Sequence, residues 1–315
     1  MKIVSGAAGF VAPPAALALA IGNFDGVHLG HAALLAEARA RAARRGGQSA
    51  VLTFTPHPAQ VFAPERAPPL IMSLSRRLQL IAEAGIDVAI VEPFTHAFAA
   101  IEAPAFVRDV LARDLRASDV IVGHDFSFGR DRAGDVGLLS ELGAEAGIDV
   151  AVIPAIGVDG QPCSSTRIRQ LVAAGDTPAA ARLLGRPFEL EGPVARGAGR
   201  GRGLGFPTAN VVPEAELRPK LGIYAARAQV LDGPLAGTVR SAALSVGTNP
   251  QFAAGGAASP VTIEAYLLDF DGDLYDRRLR VQVGERLRNE QRFESIEALI
   301  AQIREDVAQV RGISS

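Results

Sequence analysis

The chain has 315 residues, 48% of them hydrophobic and 21% charged, a balance that argues against an intrinsically disordered protein. At about 150 residues per domain the length predicts two domains, and a net charge of −2 does not indicate a general nucleic-acid binder. Cys163 is the single cysteine, so no intramolecular disulfide can form and a reducing, cytoplasmic location is expected. Lys2 and Lys220 are the only lysines and neither lies in a Walker A pattern, so a phosphate site must use arginine, histidine, backbone amides or metal.

The N-terminal segment allows two interpretations. Lys2 followed by the apolar stretch Ile3–Gly22 loosely resembles a secretion signal or a weak membrane span. The proline pair at 13–14 would break a helix there, and the run Leu17–Ile21 ends in a glycine and a polar turn. That ending is typical of a short buried strand, which is the interpretation we favour.

Short apolar runs alternate with helical patterns up to about residue 184. This alternation predicts an α/β domain with a parallel, doubly wound sheet, in which ligands bind beyond the carboxyl ends of the strands. The predicted strands are Leu17–Ile21, Ala50–Phe54, Val88–Val91, Asp119–Val122 and Val150–Ile153. The predicted helices are His31–Arg45, Ser75–Ala84, Pro104–Leu115, Leu138–Ala146 and Thr166–Ala174.

After Arg186 the chain becomes rich in Gly and Pro, and helical spacing returns only at Ser295–Val310. This pattern predicts a small β barrel closed by an amphipathic C-terminal helix, with Ala253–Ser259 as a Gly/Ala-rich loop. We therefore expect two domains, 1–184 and 185–315. The predicted barrel strands are Phe188–Val194, Gly222–Val230, Ser241–Val246, Val261–Leu268 and Arg280–Val283.

The segment Gly22–His31 follows the first predicted strand and opens the first long helix. Parallel α/β proteins bind phosphates at this place, on the backbone amides of the helix N-terminus. His28 and His31 are three residues apart and share a face of a helical turn, so both imidazoles can donate hydrogen bonds to phosphoryl oxygens. Gly30 between them allows a nucleotide to approach the backbone. The alternative is a pair of polar residues on a loop.

The run Gly-Asn-Phe-Asp-Gly-Val-His-Leu-Gly-His at residues 22–31 resembles the N-terminal module of the bacterial bifunctional riboflavin kinase/FAD synthetase family. The His-x-Gly-His within it resembles the signature of the wider nucleotidyltransferase superfamily. The resemblance implies a Rossmann-like domain that transfers AMP from ATP to FMN. It implies that His28 and His31 stabilise charge on the reacting phosphates, and that Gly22, Phe24 and Gly30 bind ATP.

Three further segments resemble the same family: Thr53–Pro58, Val122–Arg130 and Cys163–Arg169. Helix capping alone is an alternative explanation for Ser164–Thr166, but Arg169 opposes the helix dipole, and bound phosphates would resolve that conflict. The resemblance implies ATP contacts by Asp125, Ser164, Ser165 and Thr166, a catalytic role for Arg169, and flavin contacts by Phe54, Pro56 and Pro58. Asp125 stands where some relatives carry Asn, and two histidines in these segments, His57 and His124, are expected to be structural.

Glycines alternate with other residues from Gly197 to Gly205, but no register gives a dinucleotide fingerprint. Such a loop can wrap phosphates with its backbone amides, or it can be an exposed hairpin. The run Leu-Gly-Phe-Pro-Thr-Ala-Asn that ends at Asn210 resembles the riboflavin kinase motif. On an extended strand Thr208 and Asn210 face the same way, and their oxygens suit Mg²⁺. The implied ligands are Thr208 and Asn210 for Mg²⁺, and Gly203, Gly205 and Pro207 for ATP.

The apolar run Ile263–Phe270 resembles the family strand that carries the catalytic glutamate. The resemblance implies that Glu264 deprotonates or orients the ribityl 5′-hydroxyl of riboflavin. Strand alternation puts Thr262, Glu264 and Tyr266 on one face. A solvent-facing edge residue is the alternative explanation for Glu264, and Asp269 is a second candidate base.

Two more stretches, Ser245–Phe252 and Leu287–Phe293, continue the resemblance to the kinase family. In the second of them the resemblance implies flavin contacts by Arg288 and Phe293. Asp276 stands where the family pattern has Gly, which leaves the turn geometry at that position open.

The resemblance as a whole implies an enzyme with two active sites, which uses Mg²⁺, ATP, riboflavin and FMN and needs neither nucleic acid nor a membrane. A homo-oligomer is compatible with the sequence. Two alternatives stay open: an adenylyltransferase with a degenerate kinase barrel, and a flavin- or nucleotide-binding regulatory protein without turnover. The intact Thr208, Asn210 and Glu264 argue against the first.

Overall fold

A computed structural model describes residues 1–12, 15–197, 200–248 and 261–313, apart from the side chains of Arg200 and Arg202. The chain forms two compact units: residues 1–68 with 73–164, and residues 69–72 with 165–315. The loop expected at Ala253–Ser259 and the end of the stretch Ser245–Phe252 lie outside the described residues.

The first unit contains a parallel sheet of six strands with the order β1-β4-β3-β2-β5-β6, as described for this part of the chain. Every pair in it is parallel, which confirms the predicted α/β class. β2 lies in the interior of the sheet and all five of its residues are buried. The strands are β1 Lys2–Ser5, β2 Leu17–Ile21, β3 Gln48–Thr55, β4 Val88–Pro93, β5 Asp119–Gly123 and β6 Asp149–Ile153.

Helices follow the strands of this sheet and cover its faces. The segment predicted as the third helix is a stretch of π-helix, Phe106–Asp114. The α-helices of the unit are Leu29–Arg45, Pro58–Phe62, Leu74–Glu83, His96–Ala99, Ala103–Ala105 and Val136–Glu145. A two-stranded hairpin, β7 Gly157–Val158 and β8 Gln161–Pro162, ends the unit.

The N-terminal strand β1 is one of several elements that the sequence analysis missed, and the helix Thr177–Leu184 is another. β1 pairs in parallel with β4 at the sheet edge, and three of its four residues are exposed. A strand this short and this exposed carries no alternation, so its pairing depends on the neighbouring strand. Within the described ranges, no helix combines the length and the apolar composition needed to cross a bilayer.

The second unit contains a closed antiparallel barrel of the described strands in the order β9-β10-β13-β12-β11-β14. The barrel confirms the predicted second fold class. Its residues alternate: in β13 the odd-numbered side chains from Ile263 to Leu267 are buried and the even-numbered ones are partly exposed. The strands are β9 Phe188–Ala195, β10 Ala209–Val211, β11 Gly222–Val230, β12 Val239–Thr248, β13 Val261–Leu267 and β14 Arg278–Arg288.

Two helices, Ser165–Ala174 and Thr177–Leu184, group with the barrel. The buried Thr177 hydroxyl donates a hydrogen bond to the carbonyl of Gly284 on β14. A Cβ atom on Gly175, between the two helices, would lie 3.2 Å from the hydroxyl of Tyr224 on β11. The functional boundary at 184/185 stays a prediction.

The C-terminal helix, Ile296–Ile313, confirms the predicted last element. Val310 packs against Ala225 and Leu268 of the barrel. Asp306 is buried and accepts two hydrogen bonds from the Arg288 guanidinium, at 2.8 and 2.7 Å, so an ion pair ties the helix to β14.

Candidate functional site

Three of the predicted motif segments follow adjacent strands of the parallel sheet. The segment from Gly22 follows β2. Thr53–Pro58 ends β3 and Val122–Arg130 ends β5, and both segments extend beyond their strands. The strand order reverses at β2, because β3 lies on one side of it and β5 on the other. Ligands of open parallel sheets bind at such a reversal, beyond the carboxyl ends of the strands. The first candidate site therefore lies at this edge.

The loop after β2 is held in an unusual backbone conformation. Phe24 and Val27 have φ values of 50° and 37°, in the left-handed region that non-glycine residues rarely adopt. The Val27 amide donates to the Phe24 carbonyl at 3.1 Å, and the Phe24 and Asp25 side chains are buried. Strained backbone persists where surrounding packing fixes it, and such sites are often functional.

His28 is the N-cap of the helix Leu29–Arg45. Its Nδ1 accepts a hydrogen bond from the His31 amide at 3.3 Å, and the two imidazoles are stacked with centroids 3.7 Å apart. A neutral imidazole that accepts at Nδ1 carries its proton on Nε2, so His28 can donate a hydrogen bond from Nε2. The structure thus brings the two predicted histidines together at the start of a helix, where the helix dipole also favours an anion.

Gly30 lies where these histidines meet the segment that precedes the second unit. A Cβ atom on Gly30 would lie 3.0 Å from His28 Cε1 and 3.7 Å from the Cys163 carbonyl oxygen. A side chain at this position would therefore press on the His28 ring, whereas its distance to the Cys163 carbonyl would be an ordinary contact. Ser164 is half-buried in the first unit.

The segment after β3 combines a structural histidine with aromatic rings. His57 caps the helix Pro58–Phe62: its Nδ1 accepts from the Ala59 amide at 3.2 Å, and its own amide donates to Gln60 at 3.1 Å. The Phe54 ring contacts other aromatic rings at centroid distances of 5.6 and 5.9 Å. The rings that continue this cluster are Phe62, Phe94, Phe98, Phe106, Phe126 and Phe128.

Arg77 is a site-edge residue that sequence reasoning missed. Its side chain is only 3% exposed, and Nη1 donates to the Phe54 carbonyl at 3.4 Å. Burial lowers the pKa of the Arg77 guanidinium, and the Asp25 carboxylate opposes part of that shift. The sequence could have predicted this burial, because Arg77 lies three residues after Leu74 and four before Ile81, on the apolar face of its helix.

The other two predicted segments of this half are placed differently. His124 and Asp125 are exposed beyond β5, and the His124 amide donates to the Ile153 carbonyl at 3.0 Å. Ser165, Thr166 and Arg169 lie on the first helix of the second unit. Arg169 Nε donates to the carbonyl of Pro69 at 2.8 Å.

The second candidate site lies on the outer face of the barrel. Asn210 of β10 pairs in register with Glu264 of β13, so their side chains are neighbours on one face. The Thr208 hydroxyl donates to Glu264 Oε2 at 3.3 Å. Ser245 of β12 stands on the other side of Glu264. The structure therefore brings Thr208, Asn210 and Glu264 together.

The glycine-rich segment packs directly on these residues. A Cβ atom on Gly197 would collide with the Asn210 amide, and one on Gly201 would collide with the Phe206 carbonyl. Gly205 has a φ of 83°, which favours glycine, and a Cβ atom there would meet open space, as one on Gly203 would. The Phe206 ring meets the Tyr266 ring at 5.4 Å.

The chemistry of the barrel residues fits Mg²⁺. A hydroxyl, an amide carbonyl and a carboxylate are hard oxygen donors, and Mg²⁺ uses few protein ligands when phosphates supply the others. No cluster of three or more His, Cys, Asp or Glu suited to a metal occurs in the described part of the chain.

Three residues singled out in the sequence analysis lie between the end of β13 and the start of the C-terminal helix. Arg288, expected to contact flavin, forms the ion pair with Asp306, and its guanidinium carbon lies 5.9 Å from the centroid of the Phe293 ring. Asp276 has a φ of 60°, the left-handed conformation that a glycine would adopt easily. A glycine could therefore take this position without a change in backbone conformation. Asp269, the second candidate base, is exposed and bound to Arg311 at 2.6 Å.

Comparisons with known proteins cover both units. The family model described as FAD synthetase matches residues 12–167, and the one described as Riboflavin kinase matches residues 184–314. The bifunctional riboflavin kinase/FMN adenylyltransferase of Pseudomonas fluorescens is 40% identical over 94% of this chain and 92% of that protein. The protein of the same name from Escherichia coli K12 is 38% identical over 94% and 92%, and that from Bacillus subtilis is 32% identical over 91% and 89%.

A solved structure shares the whole fold. A crystal structure titled a macrolide-efflux protein from Streptococcus pneumoniae aligns with a TM-score of 0.86, at 26% identity, over 99% of both chains. The arrangement of a parallel sheet followed by a barrel therefore recurs in an experimental structure.

Proposed function

The chain belongs to the bifunctional riboflavin kinase/FMN adenylyltransferase family, and we propose that it phosphorylates riboflavin to FMN and then joins FMN to AMP, giving FAD. The observation that carries this proposal is that two family models match separate ranges and each range holds one polar cluster. His28 and His31 lie in the first range, and Thr208, Asn210 and Glu264 lie in the second.

In the kinase reaction, the 5′-hydroxyl of riboflavin attacks the γ-phosphorus of ATP and ADP leaves. Thr208 and Asn210 would hold Mg²⁺, which supplies positive charge to the phosphates when bound. The Glu264 carboxylate has one oxygen occupied by the Thr208 hydroxyl, which fixes its orientation. The same carboxylate would accept the proton of the attacking hydroxyl or orient it. The amides of the glycine-rich segment would bind the phosphates.

In the adenylyl transfer, an oxygen of the FMN phosphate attacks the α-phosphorus of a second ATP. The bond between the α-phosphorus and the bridging oxygen breaks, and pyrophosphate leaves with the electron pair. The FMN phosphate is already a nucleophile, so the site needs positioning and charge stabilisation and no strong base. His28 would donate from Nε2, because its Nδ1 accepts from the His31 amide. Arg169 would supply a planar cation for the leaving pyrophosphate.

The aromatic cluster beyond β3 and β4 supports a flavin site in the first unit. Its rings give flat apolar surfaces against which an isoalloxazine can stack. Phe54 belongs to the cluster, and Phe62 is one of its exposed members. We include Pro56, Pro58 and Phe62 with Phe54 as the flavin-facing residues. The remaining predicted ATP residues, Gly22, Phe24, Gly30, Asp125, Ser164, Ser165 and Thr166, complete the proposal for this half.

We also propose a functional boundary at 184/185, a cytoplasmic location and small-molecule partners only. The single cysteine and a net charge of −2 support the last two points.

The test is a crossed assay. The protein is incubated with ATP, Mg²⁺ and either riboflavin or FMN, and the flavins are separated by chromatography. His28→Ala should abolish FAD formation from FMN and spare riboflavin phosphorylation, and Glu264→Ala should do the reverse. Equal loss of both activities in His28→Ala would contradict two separate sites. Wild-type protein that binds flavin but converts neither substrate would favour the regulatory alternative.

A further inference from the structure

A short segment of the first half of the chain belongs structurally to the second unit. Residues Pro69–Met72, here called the strap, lie between Pro68 and Ser73 of the first unit but group with the barrel. Ile71 and Met72 are only 2% and 7% exposed, so the strap is packed and not a loose connection. The strap lies outside the segments that resemble the family, between Thr53–Pro58 and Val122–Arg130.

Two hydrogen bonds join the strap to the connection between β10 and β11. The Leu70 amide donates to Glu216 Oε2 at 2.7 Å, and the Leu217 amide donates to the Leu70 carbonyl at 3.1 Å. Glu216 is exposed, so water competes for its carboxylate, but the second hydrogen bond comes from the buried Leu217 and holds the same strap residue. Glu216 thus fixes the strap backbone at Leu70 from the barrel side.

The connection that carries Glu216 is itself held firmly. The Arg218 guanidinium donates to the carbonyls of Leu217 and Pro213, each at 3.2 Å, and to that of Ala215. Leu217 is buried, and burial also lowers the pKa of the Arg218 guanidinium. Glu216 therefore projects from a braced segment.

On its other side the strap holds Arg169. Arg169 Nε donates to the Pro69 carbonyl at 2.8 Å, and this carbonyl belongs to the same planar peptide group as the Leu70 amide that donates to Glu216. A guanidinium is planar, so a hydrogen bond at Nε restricts the directions in which its two terminal nitrogens can point. The orientation of Arg169 consequently depends on the position of the strap backbone.

We infer that Glu216, a barrel residue, is a positioning residue for adenylyl transfer, acting through the strap on Arg169. The inference rests on the proposed function, in which Arg169 stabilises the pyrophosphate that leaves the α-phosphorus. Glu216 touches no substrate in this scheme. Glu216 accepts a hydrogen bond from the Leu70 amide, and the Pro69 carbonyl of the strap accepts one from the Arg169 guanidinium.

The first experiment measures FAD formation from FMN and ATP, with riboflavin phosphorylation as the folding control. Glu216→Ala should lower kcat for FAD formation about tenfold, a part of the roughly hundredfold cost of removing a transition-state donor outright. The KM for FMN should not change. Glu216→Gln keeps an acceptor oxygen and should restore most of the rate. Glu214→Ala on the same connection, which loses an ion pair with Arg278, is the matched control and should leave FAD formation unchanged.

A double-mutant cycle separates positioning from a general structural effect. If Glu216 acts through Arg169, Glu216→Ala should cost nothing further in an Arg169→Ala background, measured in single turnover. An equal loss in both backgrounds, or a normal rate in Glu216→Ala, would overturn the inference.

Calorimetric titration with ATP tests the inference independently of catalysis, because it measures ATP binding directly. The proposed function gives the chain two ATP sites, so Glu216→Ala should weaken one of two ATP-binding events in the wild-type background and leave both unchanged in Arg169→Ala. A wild-type protein that binds ATP but makes no FAD would refute the proposed function. The titrations would still show whether Glu216 affects ATP binding through Arg169. Unchanged ATP affinity in Glu216→Ala would then count against the inference.

Discussion

Gly30→Ala is the sharpest single test of the histidine pair. The substitution adds one methyl group, whose carbon would lie 3.0 Å from His28 Cε1 and 3.1 Å from His28 Nδ1. Ordinary contacts begin near 3.4 Å, so the His28 ring must move by a few tenths of an ångström. The change leaves every charge and every hydrogen-bonding group of the chain in place.

The substitution has two opposite effects on the free energy of unfolding. The hydrogen bond from the His31 amide to His28 Nδ1 is already 3.3 Å long, and a small movement of the ring breaks it. Loss of a helix N-cap costs about 1 kcal/mol. Replacement of a helical glycine by alanine returns up to about 1 kcal/mol. The free energy of unfolding should therefore change by less than about 1 kcal/mol.

The effect on catalysis has no such compensation. Nε2 of His28 moves together with the ring, and a misplaced catalytic group can cost about 100-fold when the displacement approaches 1 Å. For a few tenths of an ångström we expect kcat for FAD formation to fall about 10-fold or more. Riboflavin phosphorylation, which depends on the barrel, should be unchanged.

The assay compares both reactions in one preparation. FAD formation from FMN and ATP is followed by chromatography, kinase activity is measured with riboflavin, and unfolding is monitored in urea. Ala33→Gly in the same helix is the control for a change of helix propensity away from the ring. Wild-type FAD formation in Gly30→Ala would refute the claim that the ring position matters, as would a parallel loss of kinase activity.

Three further predictions concern other parts of the chain. Gly201→Ala forces a Cβ atom against the Phe206 carbonyl beside Thr208, so the rate of riboflavin phosphorylation in steady-state assays should fall at least 10-fold. FAD formation from FMN is the control and should be retained. Burial raises the pKa of Glu92, so its ionised form destabilises the fold and Glu92→Gln should raise the Tm at pH 7. In thermal melts this gain should shrink as the pH falls from the raised pKa of Glu92 to the ordinary value of a glutamate, and a gain that does not depend on pH would contradict this. Asp306→Ala leaves the Arg288 guanidinium without its ion-pair partner, so the free energy of unfolding in urea should fall by about 3 kcal/mol. A fall of less than about 1 kcal/mol would mean that the pair contributes no more than an exposed one.

Some site residues could be placed from the sequence because strand or helix periodicity determines which side chains share a face. The alternation that put Thr262, Glu264 and Tyr266 on one face of a strand depends on a period of two, and the burial pattern of β13 follows it. Thr208 and Asn210 share a face for the same reason. His28 and His31 were expected on one helical face, and their rings are stacked at 3.7 Å.

Other features depend on contacts between distant residues. Arg77 reaches the Phe54 carbonyl across 23 positions, and the Leu70–Glu216 hydrogen bond spans 146 positions. Arg288 was expected to contact flavin, and its position beside the buried Asp306 came only from the packing of the C-terminal helix. No periodicity within a short window encodes such pairs, because they form only after the elements have packed.

The sequence by itself determined the alternation of strands and helices, the change to a barrel and the residue types at both candidate sites, because propensity, alternation and motif spacing act over a few neighbouring residues. Only the tertiary structure decided that the segments after β2, β3 and β5 meet at one sheet edge, that β1 pairs with β4, and that the strap joins the barrel. Strand order and docking are set by burial of apolar surface between elements far apart in the chain, and that free energy is not local.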